Sequence, residues 1–325
     1  MTDVSVDPYF GLAEANETSL LPAPDREIQV FERIPSNTPA SQAAKILDRA
    51  ATEVRRRGAQ SIKGAGLGHI GGEFSITDTL VTLYLSSMNI SPEMVEANDP
   101  NRDRLFLSKG HAANALYTVL AATGYINPAA LRTFVQAESM LNGHPAMNKI
   151  HAVEANTGPL GHGLPIAVGS AVAAELDGSN RRTFVLLGDG ELQEGSNWEA
   201  MMYAGHRGIS RLAALVDRNH LQQGATVEET NDLEPLADKI RSFNWEVVEV
   251  DGHDHEALIE AFGGVPSTSG KPTFFIAHTH KGHPISFMND NVAWHHKVPN
   301  DEQMAQVIAE LDRHLEELNS AENGG

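Results

Sequence analysis

The sequence predicts an α/β fold, a mostly parallel sheet flanked by helices, and three observations carry that prediction. Residues 183–187 form a short apolar run ending in Gly188-Asp189-Gly190, as a buried parallel strand does before a tight turn. Between Gln193 and Arg207 the apolar residues Trp198, Met201, Met202 and Ala204 recur with helical spacing. A second apolar run, 211–216, ends in Asp217-Arg218-Asn219. Together they make a β-α-β unit with polar oxygens at both strand ends.

Taken in order, residues 1–40 are rich in Asp, Glu, Pro, Ser and Asn without periodicity, which predicts a flexible N-terminal arm. From Ser41, the spacing of Ala44, Leu47, Ala51, Val54 and Gly58 predicts a helix ending near Gly64. Its late Arg55, Arg56, Arg57 and Lys63 complement the negative helix end, and such a cluster is expected on a solvated face. The loop Gly66-Leu67-Gly68-His69-Ile70-Gly71-Gly72 is too glycine-rich for a helix interior and precedes a helix expected over 75–86.

The Gly-His arrangement then recurs. Apolar 105–107 leads through Gly110-His111 into a helix expected to reach Thr123. Gly143-His144 precedes a further segment, and Gly161-His162 opens an apolar helix over 164–175. A single buried histidine is usually a satisfied core side chain. Four at predicted loop-to-helix junctions, where anions bind, point instead to one site. Beyond residue 217, a helix is expected over 233–242, strands over 245–250 and 271–277, and an acidic amphipathic helix over 302–318. Asp251-Gly252-His253-Asp254 reads as a structural turn.

Composition narrows the function classes. With 24 Lys plus Arg against 43 Asp plus Glu, the net charge of −19 argues against a nucleic-acid or anionic-membrane surface. There is no cysteine, which excludes disulfides, thiol nucleophiles and thiolate zinc sites. The His-rich stretches at 278–283 and 294–297 lack HExxH or His-Cys spacing, so zinc is not expected there. No apolar run approaches the roughly 18 residues of a membrane span, and no signal segment is seen, so a cytoplasmic location is expected.

In open α/β sheets, ligands sit beyond the carboxyl ends of the strands. Asp189 and Asn219 would meet there with the main-chain carbonyl of Leu221, a hard-oxygen set suited to Mg²⁺ on a diphosphate, with Ca²⁺ or Mn²⁺ able to replace it. An isolated Gly-Asp-Gly also fits an ordinary turn. The whole segment 188–222, however, resembles the thiamine-diphosphate signature in its transketolase version, with Glu-Leu-Gln-Glu-Gly completing the sequence after Gly-Asp-Gly. Arg218 departs from the usual Asn-Asn or Asp-Asn pair but leaves Asn219 in place. Gly68-His69, the run 104–112, Gly143-His144-Pro145 and Thr157-Gly158-Pro159-Leu160-Gly161 follow the transketolase family's order, and the resemblance spans roughly 42–300.

That resemblance implies a thiamine-diphosphate-binding domain over 41–300, followed by a C-terminal helix and tail over 301–325. It implies transfer of a two-carbon ketol unit from a ketose phosphate to an aldose. Asp189, Asn219 and Leu221 would hold the metal, while His111 and Gly190 approach the diphosphate. His69, His144 and His295 would surround the reacting carbon. Gly158, Pro159, Leu160 and Gly161 would pass the aminopyrimidine, with Leu160 as an apolar wedge, and Glu194 would lie at a subunit contact. The Glu that activates the cofactor belongs to a pyrimidine domain that has no place before the end of this sequence. The implied assembly is therefore a split enzyme, α₂β₂, whose partner is a C-terminal transketolase subunit. Gly-His-Ile-Gly-Gly in place of the common Gly-His-Pro-Gly leaves the sugar open. The alternatives are the alpha subunit of a 2-oxoacid dehydrogenase, or a non-catalytic thiamine-diphosphate-binding module.

Overall fold

A computed structural model describes residues 20–323. The chain runs through α1 (Ala40–Ala65), α2 (Ile70–Phe74), α3 (Thr77–Thr82) and α4 (Pro92–Glu96) before β1 (Arg104–Leu107) and α5 (Ala113–Ala122). After a long irregular stretch come α6 (Gly163–Leu176), β2 (Thr183–Gly188), α7 (Gly195–Arg207) and β3 (Leu212–Arg218). The remainder is α8 (Val227–Asn231), α9 (Leu236–Ser242), β4 (Glu246–Asp251), α10 (His255–Gly263), β5 (Thr273–His278) and α11 (Asp301–Asn323).

The five strands form one all-parallel sheet in the order β1-β2-β3-β5-β4. Because side chains alternate across a strand, β2 feeds two cores. Phe184 and Leu186 face a layer with α1, α5 and α10, and Val185 and Leu187 face a layer with α6 and α7. Burial on both faces explains why β2 and β3 read as unbroken apolar runs. The register aligns Gly188 with Asp217 and Arg218 with His278, so the carboxyl ends of β2, β3 and β5 share one rim.

Three expectations are corrected. The helix expected over 75–86 begins earlier and is broken into α2, α3 and a widened turn over Leu83–Ser87. His144 leads into turns rather than a helix. Arg55, Arg56 and Arg57 are buried, not solvated. The local charge pattern of α1 did not show what lies opposite: Arg55 grips both carboxylate oxygens of Asp78 from α3, and Arg56 binds Asp25 and Asp312 of α11. Of the arm expected over 1–40, residues 1–19 lie outside the described residues. Residues 20–39 carry no regular structure before α1, yet Leu21, Ile28, Phe31 and Ile34 are buried against the core.

The turn after β4 is structural, as expected. Asp254 caps α10 by accepting the N–H groups of Glu256 and Ala257, and His253 Nδ1 lies 2.7 Å from Asp78. Asp78, His253 and His283 place ligand-type atoms within 4.8 Å of one another. Arg55 already occupies both oxygens of Asp78, however, and His253 Nε2 accepts the His280 N–H. Asp78 and His253 thus have hydrogen-bond partners of their own, and His283 stacks on the His253 ring at 3.8 Å.

Candidate functional site

Loops after β1, β2, β3 and β5 converge with the His69 turn and residues 144–160 around a cavity of about 410 Å³. It draws together His69, His111, His144 and His295 with Asp189, Gly190, Glu194, Asn219, Leu221, Gly158 and Leu160. Two of the expected residues do not line it. Pro159 faces a separate small cleft beside Phe106 and Ile166. Gly161 turns its α-carbon against Glu194, where a Cβ would stand 2.5 Å from that side chain at a left-handed φ of 78°.

At the oxygen-rich end, Asp189 caps the turn after β2. Its Oδ1 accepts the Gly190 N–H at 2.8 Å and its Oδ2 accepts the His220 N–H at 2.6 Å. Burial and the neighbouring Asp217 push its carboxyl above the usual range, and Arg218, 3.4 Å away, offsets this only in part. Asn219 donates to Asp217 through Nδ2 at 2.8 Å, while its Oδ1 accepts the Leu221 N–H at 3.1 Å. The Leu221 carbonyl accepts the ammonium of Lys281 at 2.8 Å. A buried carboxylate short of positive charge, an amide oxygen and a carbonyl that already attracts a cation suit a hard divalent ion. The donor set therefore fits Mg²⁺.

The imidazoles pack at the other end, with ring centroids 5.2 Å apart for His69 and His111 and 5.7 Å for His69 and His295. Burial, then the charges of neighbouring imidazoles and Lys109, lowers His69 to about 4, and burial with Lys281 lowers His295 to about 3. Burial and Lys109 lower His111 further. His69, His111 and His295 are therefore neutral near pH 7, each with one donor and one acceptor nitrogen. Lys281 Nζ lies 2.8 Å from His295 Nδ1, and an ammonium can only donate, so His295 Nδ1 accepts and Nε2 carries the ring proton.

Several participants were not evident in the sequence. Lys109 is 2% exposed, bonds Asp217 at 2.5 Å and the Gly72 carbonyl at 3.0 Å, and so ties the His69 turn to β3. Lys281, lowered to about 8 by burial and by Lys109, bridges Leu221 and His295. Glu191 accepts the N–H groups of Gly161 and Gly188 and the Ser108 hydroxyl, fastening three loops through one buried carboxylate. Their signal was position: each lies within three residues of a strand's carboxyl end, among residues already singled out.

Residues 46–314 match the family described as transketolase, thiamine diphosphate binding domain. The chain belongs to the transketolase family. It is 39% identical over 270 residues to one subunit of the apulose-4-phosphate transketolase of Phocaeicola vulgatus, covering 83% of this chain and 95% of that one. It is 37% identical to the 6-deoxy-6-sulfo-D-fructose transketolase subunit SqwG of a Clostridium species, covering 82% and 96%. Human transketolase is 34% identical, but there the match covers 84% of this chain and 43% of the human protein. Among solved structures, Leishmania mexicana transketolase superposes with a TM-score of 0.76 at 29% identity, over 82% of this chain and 41% of that one. The fold is thus that of an N-terminal transketolase subunit, and residues 46–314 are its thiamine-diphosphate-binding domain.

Proposed function

We propose that this transketolase subunit transfers a two-carbon ketol unit from a ketose phosphate to an aldose phosphate, and does so only with a separate chain that carries the pyrimidine domain. The observation that carries the reading is the meeting, in one cavity, of a hard-oxygen set and four imidazoles drawn from different loops. Thiamine diphosphate, when bound, supplies the nucleophilic carbon that takes up the two-carbon unit. Asp189, Asn219 and the Leu221 carbonyl hold Mg²⁺, or Ca²⁺ or Mn²⁺ in its place, and His111 and Gly190 approach the diphosphate. Gly158 and Leu160 pass the aminopyrimidine, and Gly161, packed against Glu194, lets the loop turn there.

His69, His144 and His295 handle substrate protons. A neutral imidazole accepts a hydroxyl proton as the neighbouring carbon–carbon bond breaks and returns it when the new bond forms. His295, with its proton on Nε2, donates to a substrate oxygen. Two relatives that this chain matches nearly end to end are each named as one subunit of a transketolase, which supports a partner chain. So does the exposure of Glu194 at the cavity and of Leu160 beside it, groups that a second chain would cover. We place the assembly, α₂β₂, in the cytoplasm; among the described residues no helix is long and apolar enough to cross a membrane. The decisive experiment assays ketol transfer by the purified chain with and without its partner, in Mg²⁺ and thiamine diphosphate. Activity is expected only in the mixture, and robust transfer by the chain alone would sink the split-enzyme reading.

A further inference from the structure

Glu73 lies beneath His69 and takes no part in the proposed transfer. It is the fourth residue of α2, 2% exposed, and makes no ion pair among the described residues. Its Oε1 accepts the N–H of His69 at 3.1 Å, and its Oε2 accepts Asn114 Nδ2 at 3.0 Å. The same Asn114 amide donates to the Gly58 carbonyl at 3.1 Å. One carboxyl thus joins α1, the cap of α2 and the first turn of α5. His111 lies in the short turn Gly110–Ala112 just before α5, and its ring meets His69 edge-on at 5.2 Å.

The groups facing Glu73 are few. From α5 come Asn114 and the Ala115 N–H, from α1 the Gly58 carbonyl by way of Asn114, and from its own helix the His69 N–H. From the loop after β1 the field of Lys109 reaches it, but that ammonium is committed to Asp217. Burial outweighs these donors and raises the carboxyl to about 7. Both protonation forms are therefore populated near neutrality. The ionised form accepts at both oxygens, matching the N–H groups aimed at it. The acid must turn one oxygen into a donor against those N–H groups, and one bond is lost.

We propose that Glu73 is a positioning residue for His69: ionised, it locks the His69 turn onto α1 and α5, and on protonation it releases that turn and lets the imidazole shift against His111. The catalytic consequence rests on the transketolase reading, whereas the linkage itself is a property of this chain. The test is NMR of the full chain with ¹³C-labelled Glu and ¹⁵N-labelled His, titrated from roughly pH 5 to 9. One glutamate is expected to titrate close to pH 7, with the His69 ring signals moving at the same midpoint. Glu73→Gln should remove that step from the His69 profile. A wild-type titration with no glutamate midpoint above about pH 6, or with His69 moving at a different midpoint, overturns the proposal even if the variant fails to fold. With the partner chain added, Glu73→Gln should lower kcat about tenfold, leave KM within about twofold, and flatten the acid limb of the kcat profile. An unchanged profile would overturn the positioning role. The NMR outcome is read without ketol transfer and stands apart from the fate of the functional reading.

Discussion

Asp189 illustrates a conflict between stability and function at a single residue. Its carboxyl is raised by burial and by Asp217, so in the metal-free fold the charged form is disfavoured. A carboxyl raised above its unfolded value binds protons more readily when folded, so stability falls as pH rises past the unfolded value, and the ionised group is a cost at neutral pH. Asp189→Asn removes that cost, and Arg218 keeps Glu228 and Glu234, each at 2.8 Å. Asn keeps one acceptor where Asp189 has two and so gives up either the Gly190 or the His220 N–H, a loss that offsets the relief, and the metal-free melting temperature should stay close to that of the wild type. Mg²⁺ with thiamine diphosphate at 100 times its Kd should stabilise the wild type by about 2.7 kcal/mol and the variant by well under 1 kcal/mol. Thermal melts of both proteins, with and without the two ligands, check this. Equal ligand-induced shifts would remove Asp189 from the metal set.

At the scale of elements, α1 is held by charges that its own sequence could not explain. Arg55 and Asp78 are 3% and 4% exposed at the side chain, 2.5 Å apart. Burial alone would raise Asp78, but Arg55 and His253 hold it well below the usual carboxylate range. Its stabilising share is present above the unfolded value and lost only as pH falls through the depressed folded one, so it persists at neutral pH. Arg55→Met leaves a buried carboxylate without its cation and should cost about 3–5 kcal/mol in urea denaturation, whereas the double change with Asp78→Leu should recover much of that loss. A single variant of wild-type stability would show the pair to be dispensable. The same contrast marks what the sequence disclosed. The strands were legible because 183–187 and 211–216 are buried on both faces, and Asp189, Asn219 and the Gly-His turns because they stand at strand or helix ends. Arg55, Glu73, Lys109 and Lys281 were opaque because their roles depend on partners distant in the chain: Asp78, Asn114, Asp217 and Leu221. The break between α2 and α3 was missed for a similar reason. Ser75, at the junction, gives its hydroxyl to Asp217 at 2.7 Å, a contact with β3 that no helical period reports.

At the scale of the whole molecule, the apolar outer face of α6 is out of keeping with a chain of net charge −19. The helix buries Leu164, Ala167, Val168 and Ala171, yet also leaves Ile166 44% and Leu176 83% exposed. On α7, which packs against it, Met202 is 58% and Tyr203 44% exposed. Scattered exposed apolar residues are ordinary, but α6 and α7 begin directly after two segments of the cavity rim, the Leu160 loop and Glu194, so a second chain that completes the cavity would lie next to their first turns. Ile166→Glu combined with Met202→Glu alters only exposed positions and should change the stability of the isolated chain by less than about 1 kcal/mol. Burying two carboxylates in an interface between chains is far more costly, so the pair should abolish co-elution with the partner chain and reduce ketol transfer at least about tenfold. Size-exclusion chromatography of the mixture, beside a melt of the chain alone, separates lost docking from lost folding. A double variant that co-elutes and turns over like the wild type would move the partner to another face and leave the apolar surface of α6 without an occupant.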